Sequence, residues 1–128
     1  MKIEHIAIWV ENLESMKNWY CHYLSLEAGE LYINPKKGFS SYFLKFPNGA
    51  RLELMNRKDL ESRAEGSKIH SGYAHIAISL GSKEKVDDMT QFFKSEGIPI
   101  LDGPRTTGDG YYESVISDPE GNLLELTV

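Results

Sequence analysis

Apolar and polar positions alternate from Ile3 to Val10 and then change period. In a strand, His5, Ala7 and Trp9 share one face and Ile6, Ile8 and Val10 the other. The next segment, "NLESMKNWYCHYL", brings Leu13, Met16, Tyr20 and Tyr23/Leu24 round at helical spacing behind Asn12, a residue able to cap it. Past Gly29, "GELYI", "SYFLKF" and "ARLELM" read as three strands, the last two joined by "PNG", whose glycine suits the positive φ of a tight turn. The polar run "RKDLESRAEGSKIHSG" lacks strand character and reads as a connector with at most one helical turn.

The second half repeats this series. "YAHIAISL" predicts a strand, and Ser82 caps a helix through "KEKVDDMTQFFKSEG" with Val86, Met89 and Phe93 inward and Gly97 as its stop. "IPIL", "YYESVIS" and "NLLELTV" follow as strands, and "DPEG" stands where the first half has "FPNG". His75 lies 70 residues after His5, while Pro119, Gly121 and Glu125 each lie 72 after Pro47, Gly49 and Glu53. The expectation is one domain, residues 1–128, of the α+β class, built from two tandem βαβββ modules at 1–56 and 73–128 with a connector at 57–72.

The repeated positions carry chemistry. Glu53 alternates with Leu52 and Leu54, and Glu125 with Leu124 and Leu126, so each of four strands offers one aliphatic face and one face with a single metal-capable group. Ala7 and Ala77 leave space beside the histidines. Taken singly, a strand histidine is ordinarily a packed or surface residue, and a Glu between leucines is ordinarily the solvent side of an amphipathic strand. Taken together, His5, Glu53, His75 and Glu125 form two nitrogen and two oxygen donors at equivalent places. That set suits one divalent ion such as Ni, Zn or Co, with Fe or Mn also compatible, better than the all-oxygen preference of Mg or Ca. Four protein donors also leave positions for substrate.

Composition narrows the partners. The chain is 41% hydrophobic and 26% charged, and no apolar run approaches the ~18 residues that a membrane span needs. The net charge of −5, without a basic stripe, argues against nucleic acid. Cys21 is the single cysteine, read as a packing residue, which excludes an internal disulfide. The N-terminal residues do not resemble a signal peptide, so a cytoplasmic location is expected. His22 on the first helix and His70 in the connector read as structural, and Glu61, Asp87 and Asp88 as solvated faces. Arg57, Arg105 and Lys45 are candidates to hold an anionic substrate, although an exposed cation is the simpler reading of each. "DGPRTTGDGYYES" is Gly-rich without phosphate-loop spacing and reads as a flexible strand connection.

With "HIAI" doubled and followed by "PNGARLEL" and "PEGNLLEL", nearly the whole chain resembles the vicinal oxygen chelate superfamily, which includes glyoxalase I, bleomycin-resistance proteins and extradiol dioxygenases. The resemblance implies paired βαβββ modules forming a cupped, mixed eight-stranded sheet with helices outside, and commonly a homodimer. His5, Glu53, His75 and Glu125 match the ligand set of the bacterial glyoxalase I branch, position for position. It further implies isomerisation of a 2-oxoaldehyde–thiol hemithioacetal through a metal-stabilised enediolate, with Glu125 as the first choice of proton carrier and Glu53 as the second. One position departs from that branch. Trp9 stands near the place of an arginine that meets the carboxylate of glutathione, so the metal set is implied more firmly than the thiol. The same fold also serves epimerases, for which no separate proton-transfer residue is evident here, two-His-one-Glu dioxygenases, and metal-free antibiotic-binding proteins.

Overall fold

The N-terminal alternation forms β1 (His5–Trp9), and the change of period forms α1 (Leu13–Leu24). The computed structural model describes residues 2–62 and 71–128. Asn12 caps α1 as expected, its side chain accepting from the Ser15 N–H at 3.0 Å. The first half continues through β2 (Glu27–Ala28), β3 (Tyr32–Asn34), β4 (Phe39–Lys45) and β5 (Arg51–Arg57). The second half holds β6 (Ile76–Ser79), α2 (Lys83–Ser95), β7 (Ile100–Thr106), β8 (Tyr112–Ser117) and β9 (Leu123–Thr127).

These elements fall into two compact units, Met1–Ser67 and Lys68–Val128. Each has its own mixed sheet and one helix, an α+β architecture. In unit 1 the order is β1-β5-β4-β2, with β3 also on β4; in unit 2 it is β6-β9-β8-β7. The pairs β1·β5 and β6·β9 are parallel, and the remaining pairs are antiparallel.

The aliphatic strand faces lie under the helices. Leu44, Leu52 and Leu54 are buried with Met16 and Tyr20 of α1, and Ile116, Leu124 and Leu126 with Val86 and Phe93 of α2. A residue buried on this scale contributes roughly 1.5–3 kcal/mol through removal of apolar surface from water. On α2 the third inward residue is Thr90 rather than the expected Met89. Its hydroxyl is satisfied at 2.6 Å by the Val86 carbonyl and the Ser114 hydroxyl, which removes the cost of burying it.

Two strand expectations are corrected as well. "GELYI" does not form one strand: burial of Leu26 draws Glu27–Ala28 onto the edge of β4, and the chain rejoins that edge only at Tyr32. β7 runs well beyond "IPIL" to Thr106, through residues read as a flexible connection. Register shifts between Ile100 and Asp102 and between Asp102 and Arg105 let this edge strand carry Gly103 and Pro104. The helical turn considered for the connector and His70 lie largely outside the described residues.

Candidate metal centre

The parallel pairs put each histidine strand beside its glutamate strand. Ala7 lies opposite Glu53 and Ala77 opposite Glu125, so the small alanine faces the carboxylate and the histidine two residues earlier reaches it diagonally. His5 Nε2 is 3.8 Å from Glu53 Oε2, and His75 Nε2 is 3.4 Å from Glu125 Oε2. Both histidine side chains are about two-fifths exposed, at 39% and 43%, while the glutamates are at 14% and 15%. His75 lies one residue before β6, and His5 is the first residue of β1.

Each unit thus offers one imidazole nitrogen and one carboxylate oxygen on the face away from its helix. Among the described residues no group of three or more His, Cys, Asp or Glu gathers as a metal-binding cluster. The donor chemistry of each pair nevertheless fits half of a borderline divalent site: the donors are close, unlike in type, and open to solvent on the imidazole side.

The surroundings of the two pairs differ. In unit 1, His5 Nδ1–H donates to Glu4 Oε2 at 2.5 Å, and Arg51 reaches Glu4 Oε1 from Nε at 2.8 Å. The Arg51 guanidinium lies 4.0 Å over the Phe43 ring, whose edge meets the His5 ring at 5.3 Å between centroids. The hydrogen bond from His5, with help from Arg51, holds Glu4 below the usual carboxylate range against a smaller effect of desolvation. In unit 2, Glu113 lies beside Glu125. Burial, followed by the charge of Glu125, pushes the Glu113 carboxyl above its usual range. Arg105 is 3.5 Å from Glu113 and 2.6 Å from Asp102, and its bond holds Asp102 low.

Glu4, Arg51 and Glu113 were not singled out by sequence, although Glu113 falls on the site face by alternation from Val115, which pairs with Glu125. Two of the three nominated cations are already engaged, Arg105 as above and Arg57 in a two-pronged contact with Asp59 at 2.9 and 2.7 Å. Lys45 is exposed, and His22 packs its ring against Tyr23. Asp87 accepts from the Tyr112 hydroxyl at 2.6 Å rather than being merely solvated. Burial raises the Cys21 thiol, in keeping with a packing role.

A repeated α+β module with a histidine beside a glutamate on its parallel strands defines the class of fold. The chain belongs to the glyoxalase/bleomycin resistance protein/dioxygenase superfamily, whose sequence model matches residues 2–126. It is 26% identical to the uncharacterized protein YqjT of Bacillus subtilis (strain 168), over 97% of this chain and 96% of that one. Its fold is similar to that of a glyoxalase family protein from Enterococcus faecalis, with a TM-score of 0.82, 24% identity, and 99% and 97% of the two chains covered. It is also similar to the trypanothione-dependent glyoxalase I of Leishmania major, with a TM-score of 0.77, 22% identity, and 99% and 86% covered. No helix of the described residues is long and apolar enough to cross a membrane.

Proposed function

We propose that this protein is a metal-dependent isomerising lyase of the glyoxalase I type, acting in the cytoplasm on a 2-oxoaldehyde–thiol hemithioacetal or a similar small carbonyl compound. One observation carries the reading. Each unit sets an imidazole Nε2 within 3.8 Å of a carboxylate oxygen at equivalent positions of the repeat, although the residues around the two pairs differ.

In this reading the two pairs meet at one divalent ion, within a chain or across a homodimer, in a single cupped sheet built from both modules. The ion, when bound, supplies Lewis acidity to two neighbouring substrate oxygens. His5 and His75 hold it as neutral donors. Glu125 takes a proton from one carbon and returns it to its neighbour, with Glu53 as the other candidate. The polar groups of unit 2 border that transfer. Trp9, in place of a cation, favours a thiol partner other than glutathione.

Protein stripped of metal and reconstituted with Ni, Zn or Co is expected to bind about one ion per site and to turn over methylglyoxal with at least one thiol in a screen. Replacement of His75 with Ala should abolish both. No uptake by the wild type, or uptake unchanged in His75→Ala, would remove the metalloenzyme reading; uptake without turnover would remove the named reaction only. Glu113 favours one second reading, an epimerase, because it adds a carboxyl beside Glu125 as a separate proton carrier. Solvent-deuterium exchange into a thioester substrate, lost in Glu113→Gln, distinguishes that case.

A further inference from the structure

The His5 ring is held from more sides than a surface histidine requires. A carboxylate can only accept, so the 2.5 Å contact with Glu4 places the proton on Nδ1 of the neutral ring. Nε2 then carries the lone pair. Its 3.8 Å separation from Glu53 lies beyond hydrogen-bonding reach, so that nitrogen is not tied to its neighbour. An unrestrained neutral imidazole favours the opposite tautomer, with the proton on Nε2; the partner at Nδ1 decides which nitrogen is offered.

Glu4 is itself held. Arg51 Nε and Nη2 both approach Glu4 Oε1, at 2.8 and 2.5 Å, and the Arg51 backbone N–H donates to the Glu4 carbonyl at 2.9 Å. Stacking of Arg51 over Phe43 and the edge contact of Phe43 with His5 close a ring of four side chains. An isolated exposed ion pair between adjacent residues would be worth almost nothing. Here each member has a second partner that fixes its direction. Unit 2 lacks all three supports: Ala74, Leu123 and Val115 occupy the places of Glu4, Arg51 and Phe43.

We propose that Glu4 is a positioning residue for His5, fixing the imidazole with its proton on Nδ1 so that Nε2 is presented as a donor on the Glu53 side. This rests on the metal reading for its purpose, but its first readout needs no metal. In ¹⁵N-labelled metal-free protein in mildly alkaline buffer, long-range ¹H–¹⁵N spectra should show His5 protonated on Nδ1. His75, with Glu125 3.4 Å from its Nε2, should show the other tautomer.

Glu4→Ala should switch His5 to the Nε2-protonated form, while Glu4→Gln, whose amide oxygen still accepts, should retain Nδ1 protonation. An unchanged His75 spectrum reports that the fold is intact. Glu4→Ala should also weaken Zn²⁺ binding, followed by calorimetry, by about 10–100-fold, the usual effect of losing a carboxylate behind a metal-bound histidine. Nε2 protonation of His5 in the wild type, or no switch in Glu4→Ala, overturns the proposal. A switch with unchanged Zn²⁺ affinity overturns it as well. A wild type that binds no metal instead removes the proposed function and leaves the tautomer result to decide this one.

Discussion

In unit 1 the imidazole is braced, through Glu4, Arg51 and Phe43; in unit 2 the carboxylate has a second carboxyl beside it, Glu113, which Arg105 approaches at 3.5 Å while holding Asp102 at 2.6 Å. The scaffolds beneath are the same, with a parallel strand pair, an alanine opposite the glutamate and a capped helix behind. The faces above are unlike. At matched positions Trp9, Phe39, Ser41 and Phe43 of the first, with Trp9 and Phe39 edge to face at 6.2 Å, give way to Ser79, Tyr111, Glu113 and Val115 of the second. A doubled module can therefore keep one His–Glu pair at the same place in each half while the residues around the two pairs diverge.

The largest test of that difference is Gly103→Ala. Gly103 has φ of 77°, and a Cβ there would stand 2.4 Å from the Glu113 carbonyl oxygen and 2.9 Å from Ser114 Cα, both backbone atoms. The strand would have to move away from Glu113 and take Arg105 with it, at a cost of about 2–4 kcal/mol in urea unfolding. Gly49 and Gly121, the matched turn glycines at φ of 91° and 81°, have open space around them. Alanine at either should cost only about 1 kcal/mol, from backbone strain alone. Equal losses at Gly103 and Gly49 would show that the close strand contact at Gly103 is relieved without cost.

The shared scaffold predicts equality where the sites predict difference. Asn12→Ala and Ser82→Ala each remove a side-chain acceptor from the third residue beyond, Ser15 and Lys85, and each should cost about 1 kcal/mol. A disparity of more than twofold in thermal or urea unfolding would break the equivalence of the two modules.

The scaffold was legible because its signals are local and repeated. Hydrophobic period, caps at Asn12 and Ser82, and turn glycines all act within a few residues. The His and Glu pairs could be read as well, since alternation gives the face and the 70- and 72-residue offsets match the halves. What surrounds them could not. Glu4 precedes β1, where the pleat no longer dictates direction, so strict alternation sends it to the wrong face from His5. Arg51 reads as one more strand cation until the parallel register sets it beside His5. Arg105 and Glu113 are eight residues apart across a segment with three glycines and a proline between Asp102 and Tyr111, a composition that conceals the bulged strand pairing them.

Glu113 offers the finest test, because its counterpart by the same offset is Ser41, buried and uncharged. Burial and the neighbouring Glu125 raise the folded-state value of Glu113 above the ordinary 4.5. Folding therefore favours its protonated form. The stability this group confers is fully present below its unfolded value and is lost as pH rises through the raised folded one. Gln copies the protonated carboxyl at every pH. In the metal-free protein, Glu113→Gln should unfold with the wild type's free energy at the acid end of the range. Above it the variant should be more stable by about 0.5–1 kcal/mol, the scale of one partly buried like-charge contact. Arg105 moderates the gain, since it loses an ionised partner 3.5 Å away but keeps Asp102 at 2.6 Å. Ser41→Ala, the matched change in unit 1, should produce no pH-dependent difference at all. A wild type that gains on Glu113→Gln as pH rises would mean that Arg105 outweighs Glu125, making the second face a salt bridge instead of a strained carboxyl pair.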